Sequence, residues 1–359
     1  MAHAIAHDDI VRTHEEGAAN ERPPLLVLEP LLAFLDGHDL GDGEPDIRPI
    51  GDGHSNATYL FDRGGARFVL RRPPRPPIPP SANDMLREAR VLRGLENRAR
   101  VPRVLAICDD ESVIGAPFYV MEELIGHVVT SAMPHGLDTP AERRRTAEEL
   151  IDALVEIHAV DWRAAGLEGF GRPEGYLERQ LRRFLGLWEH NKTREIPAVE
   201  AVGAWLKANL PQSPPATVVH GDYRLGNVLL APEPPARVRA VFDWEMSTIG
   251  DPLADLGYLC TLYVDRTDPS LGRFELSSVT RDEGFPLRGE LIARYEERSG
   301  RRMTDIRWYQ TLALWKSIVF MEGNFRRASS GMSDDPYLKA FGEGVLQLAD
   351  RAEALTRGA

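Results

Sequence analysis

The stretch from Val218 to Asp255, VVHGDYRLGNVLLAPEPPARVRAVFDWEMSTIGDPLAD, constrains this chain more than any other. It holds His220-Gly221-Asp222, then Asn227 five residues after the aspartate, then Asp243 at the end of a second apolar run. Phosphoryl transfer from a nucleotide asks for this set. One carboxylate orients or deprotonates the attacking hydroxyl, and an amide with a second carboxylate holds Mg²⁺ on the phosphates.

The local pattern around these residues agrees with that chemistry. Val218-Val219 enter the loop as a short strand, and Val228-Leu229-Leu230 leave it as another. Ala231 to Ala236 carries three prolines and reads as a turn. Arg237 to Phe242 then alternates, with Val238, Ala240 and Phe242 on one face, and ends at Asp243. A hairpin returning beside the loop would bring Asp243 near Asn227. The Asp-to-Asn spacing matches the catalytic loop of protein kinases. The competing reading is a solvated hairpin with incidental polar residues.

Bulk properties bound the function class. The chain has 359 residues, enough for one large or two modest domains, and 43% of them are hydrophobic. A net charge of −12 argues against a nucleic-acid partner, which would favour a basic balance. No apolar run approaches the roughly 20 residues of a membrane span, and the polar, acidic start does not read as a signal peptide. Cys108 and Cys260 sit in apolar surroundings, far apart in sequence. They read as buried free thiols, consistent with a reducing cytoplasm, and offer no metal spacing.

Along the chain, strands come first and helices follow. Residues 1–24 read as a disordered tail. Leu25 to Leu35 suits a short helix, Ile47 to Leu70 two or three strands, and Arg72 to Pro80, with six prolines, an extended connector. A helix capped by Ser81 is expected to run to about Asn97, and Phe118 to Glu122 reads as a strand. From about Thr139 onward the pattern is mostly helical. The expected fold is α+β and bilobal, like a protein kinase. A small antiparallel-sheet lobe with one helix, 25–124, would bind nucleotide. A larger, mostly helical lobe, 125–359, would carry catalysis and the acceptor.

Four upstream features fall in kinase order. Gly51-Asp52-Gly53-His54-Ser55-Asn56 lies between two strand-like runs, where Gly53, Ser55 and Asn56 could let backbone N–H groups approach a phosphate. An ordinary hairpin turn is the other reading. Phe68-Val69-Leu70-Arg71 stands where a phosphate-binding Lys is usual, with Arg71 in its place. Glu88 falls inside the apolar stripe of Met85, Ala89, Leu92 and Leu95. A carboxylate there needs a cation, and the kinase pattern supplies Arg71; the alternative is a Glu at the stripe's edge reaching water. Finally, Phe118 to Leu124 resembles the strand and hinge between kinase lobes, and backbone groups of Glu122, Glu123 and Leu124 would meet an adenine edge.

Together these residues resemble the aminoglycoside phosphotransferase family. More narrowly, they resemble the branch related to kinase-like domains joined to acyl-CoA dehydrogenases. The carrying stretches are GHSNATY (Gly53 to Tyr59), FVLRRPP (Phe68 to Pro74), REARVL (Arg87 to Leu92), HGDYRLGNVLL (His220 to Leu230) and FDWEMSTIGDPLADLGYL (Phe242 to Leu259). The resemblance implies that Asp222 is the catalytic base or hydroxyl-orienting group, that Asn227 and Asp243 are Mg²⁺ ligands, and that ATP is the donor. It implies that Glu245 orients Asp243 or a metal-bound water, that Asp255 holds the catalytic loop, and that His220 props the loop backbone. In that branch an Arg at position 71 is not unusual. The dehydrogenase half is expected to be absent, because the chain's motifs are accounted for by the kinase half.

The acceptor side is less legible. Tyr309, Leu312, Ala313, Val319, Phe320 and Gly323 share one stripe of a helix near Thr304 to Arg327, with Lys316 in its middle. Lys316 either pairs with a buried acid or faces a cleft holding an anionic substrate. His158 falls on the stripe of Leu150, Leu154 and Ile157 and reads as a satisfied core histidine, with a substrate contact as the alternative. Arg224 stands beside the nucleophile position, to meet an acidic group of the acceptor or to pair with an acid of its own lobe. A strongly cationic aminoglycoside favours a cleft dense in carboxylates, whereas Arg224, Lys316, Arg326 and Arg327 fall in the acceptor half. The expected acceptor is therefore a neutral or anionic hydroxylated small molecule, such as a hydroxy acid or hydroxyacyl-CoA. An aminoglycoside antibiotic kinase, a non-catalytic nucleotide-binding module and an acyl-CoA oxidoreductase are the alternatives, the last without a visible flavin or Rossmann signature.

Overall fold

The computed structural model describes residues 9–51, 56–77, 83–270, 272–332 and 335–358. The chain divides into two compact units. One contains the residues up to Ile125 together with Phe242–Glu245, and the other Gly126–Val241 and Met246 onward. The return of Phe242–Glu245 to the first unit was not anticipated by a two-lobe division at one boundary.

In the first unit, residues 9–24 are folded, which corrects the disordered-tail reading. Strand β1 (Ile10–Val11) pairs in parallel with β2 (Leu26–Val27), and helix α1 (His14–Ala18) lies between them in the chain. Thr13 Oγ1 accepts from the Glu16 N–H at 3.2 Å, and the Glu16 carboxylate accepts from the Thr13 N–H at 3.4 Å. This capping box was written in the sequence as Thr13-x-x-Glu16. A short acidic stretch with few apolar residues hid it. Helix α2 (Leu28–Asp36) starts after β2, three residues later than its apolar run suggested.

A five-stranded antiparallel sheet follows. Its strands are β3 (Asp46–Pro49), β4 (Ala57–Arg63), β5 (Ala66–Arg72), β6 (Val104–Cys108) and β7 (Phe118–Glu122), in the order β3-β4-β5-β7-β6. Helix α3 (Met85–Leu95) packs on β6 and β7, and α4 (Glu111–Ile114) lies near α2. Alternation builds the core: Phe61 pairs with Phe68 and Tyr59 with Leu70, and the two phenyl rings stack at 5.2 Å. The same alternation sends Arg71 to the opposite face from Leu70 and Arg72. Buried Arg72 bonds the carbonyls of Pro73, Leu25 and Ile114 and is a structural residue. Helix α3 is capped by Asp84, whose carboxylate accepts from the Arg87 N–H at 3.0 Å. The expected Ser81 cap lies outside the described residues, and the described helix begins at Met85.

The second unit is mostly helical. Strand β8 (His127–Val128) leads to helices α5 (Pro140–Ala159), α6 (Tyr176–Asn191) and α7 (Pro197–Ala208). Then come strands β9 (Thr217–Val219), β10 (Val228–Leu230), β11 (Val238–Val241) and β12 (Thr248–Gly250). Helices α8 (Leu253–Leu262), α9 (Arg288–Ser299), α10 (Ile306–Ser329) and α11 (Pro336–Arg357) complete it. Helix α10 is central, packing on α6, α7, α8 and α11. It buries Trp315, Ile318 and Val319 completely, and Trp315 Nε1–H donates to the Val199 carbonyl at 3.0 Å. Cys108 and Cys260 are both buried free thiols, and burial pushes the Cys260 thiol up to about 12.

Candidate active site

Two antiparallel strand pairs hold the loop from His220 to Asn227. Strand β9 pairs with β12, Val219 opposite Thr248, and β10 pairs with β11, Val228 opposite Val241, with β8 on its other edge. The β11 strand ends at Val241, so Phe242 lies beyond the alternating run that was to include it. Gly221 takes a φ of +88°, and a Cβ there would stand 2.6 Å from the Met246 carbonyl oxygen, so the HGD turn requires glycine.

Asp255, at the start of α8, anchors the loop. Its carboxylate accepts from the N–H groups of His220 at 2.7 Å and Gly221 at 2.8 Å, and from His158 Nε2 at 3.2 Å. Burial alone would raise this carboxyl, but the bonds from His158 and Gly221 outweigh it and hold it below its ordinary value. Burial pushes the His158 imidazole down against the pull of Asp255. The pair is thus an ionised carboxylate with a neutral imidazole, whose Nδ1 is 2.7 Å from the Tyr295 hydroxyl. His158 is a satisfied core histidine. His220 Nδ1 accepts from the Asp222 N–H at 3.2 Å, and Tyr223 donates its hydroxyl to the Leu150 carbonyl at 2.6 Å. This last tether, buried under the loop, left no trace in the sequence.

Within the loop the Asn227 amide Nδ2–H₂ donates to both the carbonyl and the carboxylate of Asp222, each at 2.8 Å. Arg224 Nε reaches the same carboxylate at 3.5 Å, so Arg224 pairs with Asp222 itself. Asn227 Oδ1 is left as a hard oxygen donor of the type Mg²⁺ takes.

The first unit gathers a second cluster. Arg71 Nε donates to Glu88 Oε2 at 3.1 Å, and Arg71 Nη2 to Asp243 Oδ1 at 3.0 Å. Glu88 is only 2% exposed, and its other oxygen accepts from the Trp244 N–H at 3.3 Å. Burial pushes the Glu88 carboxyl up against the pull of Arg71, while Glu88 and Asp243 keep Arg71 charged despite its own burial. Asp243 has a φ of +67°, a left-handed backbone that Asp tolerates better than most residues. Its side chain is 30% exposed, and a carboxylate is the ligand type that Mg²⁺ takes.

Other expectations shift. Gly53 and Ser55 lie outside the described residues. Asn56 is buried and spends its side chain on Glu245, donating to Oε2 at 3.1 Å, and on Asn83, accepting at 2.8 Å. Glu245, expected to orient Asp243 or a metal-bound water, accepts from Asn56. The Glu122 N–H already bonds the Arg103 carbonyl at 3.0 Å, and its carboxylate accepts from the Arg103 N–H. Of the backbone groups of Glu122, Glu123 and Leu124 expected at an adenine edge, the Glu122 N–H is thus already taken.

Replacing Arg71 by alanine is expected to lower the first unit's stability by about 1–3 kcal/mol, the cost of stripping a buried carboxylate of one partner while Trp244 still serves it. Arg71→Lys should recover most of that. Denaturant melts of both variants check the order.

A cavity of about 450 Å³ in the second unit is bordered by Gly221 and Asp222. Lys316 lines it, as do Phe274, Phe320 and, from α11, Tyr337 and Phe341. Phe320 is 47% exposed, although Tyr309, Leu312, Ala313 and Val319 of its helical stripe are buried. The α11 aromatics went unremarked in the sequence because they lie beyond Arg327, past the resembling stretch. Arg326 and Arg327 line a separate hollow and bond the His190 carbonyl and Asn324.

The sequence model of the phosphotransferase enzyme family matches residues 46–301. The chain belongs to that family. It is 33% identical over 348 residues to acyl-CoA dehydrogenase family member 10 of Mus musculus, covering 94% of this chain and 32% of that protein. The chain thus spans about a third of that relative's length. A crystal structure of a putative aminoglycoside phosphotransferase from Ralstonia eutropha superposes with a TM-score of 0.81 at 30% identity, covering 92% of this chain and 98% of the other. An aminoglycoside phosphotransferase APH(4)-Ia, solved with AMP-PNP and hygromycin B, matches with a TM-score of 0.57 over 91% of this chain and 98% of its own. At 16% identity it shows the fold alone. The fold is α+β and kinase-like, and the family is one of small-molecule phosphotransferases.

Proposed function

We propose that the protein moves the γ-phosphoryl group of ATP to a hydroxyl of a small molecule, a hydroxy acid or hydroxyacyl-CoA. The observation that carries the reading is the Asp222–Asn227 pair, in a loop fixed by Asp255 and bordering a cavity. Asp222 orients the acceptor hydroxyl and receives its proton. The hydroxyl oxygen bonds to the γ-phosphorus, the bond to the bridging oxygen breaks, and ADP leaves with that electron pair. The transition state is loose, so positioning contributes more than early deprotonation.

Asn227 and Asp243 supply oxygen ligands to Mg²⁺, which when bound neutralises charge on the nucleotide phosphates. Arg71, aligned by Glu88, meets those phosphates, with backbone of Asn56. Backbone groups of the Glu122, Glu123 and Leu124 segment meet the adenine edge. The acyl-CoA class of acceptor leans on the name of the mouse relative, of which this chain matches a third.

An ATP-consumption screen against alcohols, hydroxy acids, hydroxyacyl-CoAs and aminoglycosides, with product mass detection, tests the reading. ADP and a phosphorylated hydroxy acid or hydroxyacyl-CoA are expected. Turnover with aminoglycosides alone would replace the acceptor class, and no ADP with any hydroxyl compound would leave a nucleotide-binding module. In parallel, Asp243→Asn should weaken Mg²⁺-supported ATP binding by about 10-fold to 100-fold, the range for losing a metal-site partner. Its melting temperature should stay close to the parent's, since Arg71 keeps Glu88. Titrations with and without Mg²⁺ read the difference.

A further inference from the structure

The charges around the cavity beside Asp222 are equal in number but not equally paired. Its acids are Asp222 and Glu275, and its bases are Lys316 and Arg351. Three of these four are already engaged. Asp222 meets Asn227 and Arg224. Glu275 takes two bonds from Arg281, at 2.7 and 3.1 Å. Arg351 pairs with Asp268 at 3.2 Å.

Lys316 differs. Among the described residues no carboxylate lies within ion-pair distance of it, and its Nζ sits 4.8 Å from the centre of the Phe184 ring. The nearby Asp255 carboxylate is committed to His220, Gly221 and His158. Lys316 is half-buried, and burial lowers its ammonium pKa to about 8. A cation drawn partly out of water without an anion carries a desolvation cost that a bound anion would offset. A polycationic guest would add to that cost. The rest of the wall is mainly apolar, including Phe274, Leu276, Met321 and Phe341, with Thr261, Ser317 and Asn324 among its neutral polar members. The volume suits a small ligand, within the roughly 300–1,000 Å³ of typical sites.

We propose that this cavity selects an amphipathic acceptor, with one carboxylate on Lys316 Nζ and an apolar chain among Phe274, Leu276 and Phe341. The proposal rests on the phosphotransferase reading for the word acceptor, and it deepens that reading by assigning Lys316 as the residue that sets specificity. Such a guest carries its hydroxyl to Asp222 by virtue of being held at both other parts. Cationic amino sugars are excluded by the same lysine.

Calorimetric titration of the full chain with octanoate and with octanamide tests the proposal. Neither probe has a hydroxyl to phosphorylate, so turnover plays no part. Octanoate should bind about tenfold tighter than octanamide, the worth of one charge-assisted hydrogen bond. Lys316→Met should erase that ratio and Lys316→Arg should keep most of it. Phe341→Ser should weaken both probes alike and leave the ratio unchanged. Equal affinities in the parent, a ratio that survives Lys316→Met, or no octanoate binding at millimolar concentration would each overturn the proposal. Lys316→Met removes a buried charge without opening a large void, so its melting curve should show a folded protein. Octanoate binding through Lys316 with no ADP release from any hydroxyl compound would sink the phosphotransferase reading and leave the anion subsite standing.

Discussion

Replacing Asp222 by asparagine is expected to lower turnover on an identified acceptor by about 10² to 10⁴, the range for a positioned acid–base group, with ATP affinity little changed. The substitution keeps the shape of the side chain and removes its charge. Asn227 Nδ2 now donates to Asp222 Oδ2, and an amide oxygen at position 222 can accept the same bond. The Asp222 N–H to His220 contact and the Asp255 anchor involve backbone and stay in place. What is lost is a carboxylate able to align the hydroxyl and take its proton. Arg224, 3.5 Å from that carboxylate, also loses its anionic partner, and an acceptor with its own negative charge would feel that change as tighter binding. Turnover and ATP affinity should therefore be measured on the same preparation. Near-parental turnover would refute the assignment and pass the hydroxyl-positioning role to another group.

The parts of the site legible in sequence were those fixed by local order. The HGD turn, the asparagine five residues on, and the strands either side are each set by neighbours in the chain. Val218-Val219, Val228 to Leu230 and Phe118 to Glu122 could be placed within a residue. Glu88 was legible for a different reason: a carboxylate inside an apolar stripe demands a partner, and the alternation of β5 left Arg71 on the right face. Contacts closed by distant segments left no local signal. Asn56 reads as a loop residue until Glu245, 189 positions away, is seen against it. The pairing of Arg351 with Asp268, which leaves Lys316 as the exception in its cavity, is equally invisible in one dimension. The N-terminal stretch failed otherwise. Its capping box is local, Thr13-x-x-Glu16, but sits in a polar, acidic stretch whose composition reads as disordered.

The largest loss of stability is expected from Asp255→Ala. This carboxylate is 1% exposed and serves three donors. Removing it leaves the His220 and Gly221 N–H groups buried without acceptors, at about 1–3 kcal/mol each. His158 adds less, because it is neutral and keeps Tyr295. The sum, about 2–6 kcal/mol, converts to roughly 4–24 °C in the melting temperature at about 2–4 °C per kcal/mol for a unit of this size. Asp255→Asn should also destabilise, since its NH₂ would face one of the two backbone N–H donors that the carboxylate now satisfies. The sign of the pH dependence follows from the depressed Asp255 pKa. Its contribution is present above the unfolded-state value near 4 and is lost as pH falls through the lower folded-state value. The gap between parent and Asp255→Ala should therefore be wide at neutral pH and narrow on strong acidification. Thermal scans of both proteins across that range measure it. A variant melting within about 2 °C of the parent at neutral pH, less than the smallest loss expected from orphaning two N–H groups, would mean that another group holds the loop.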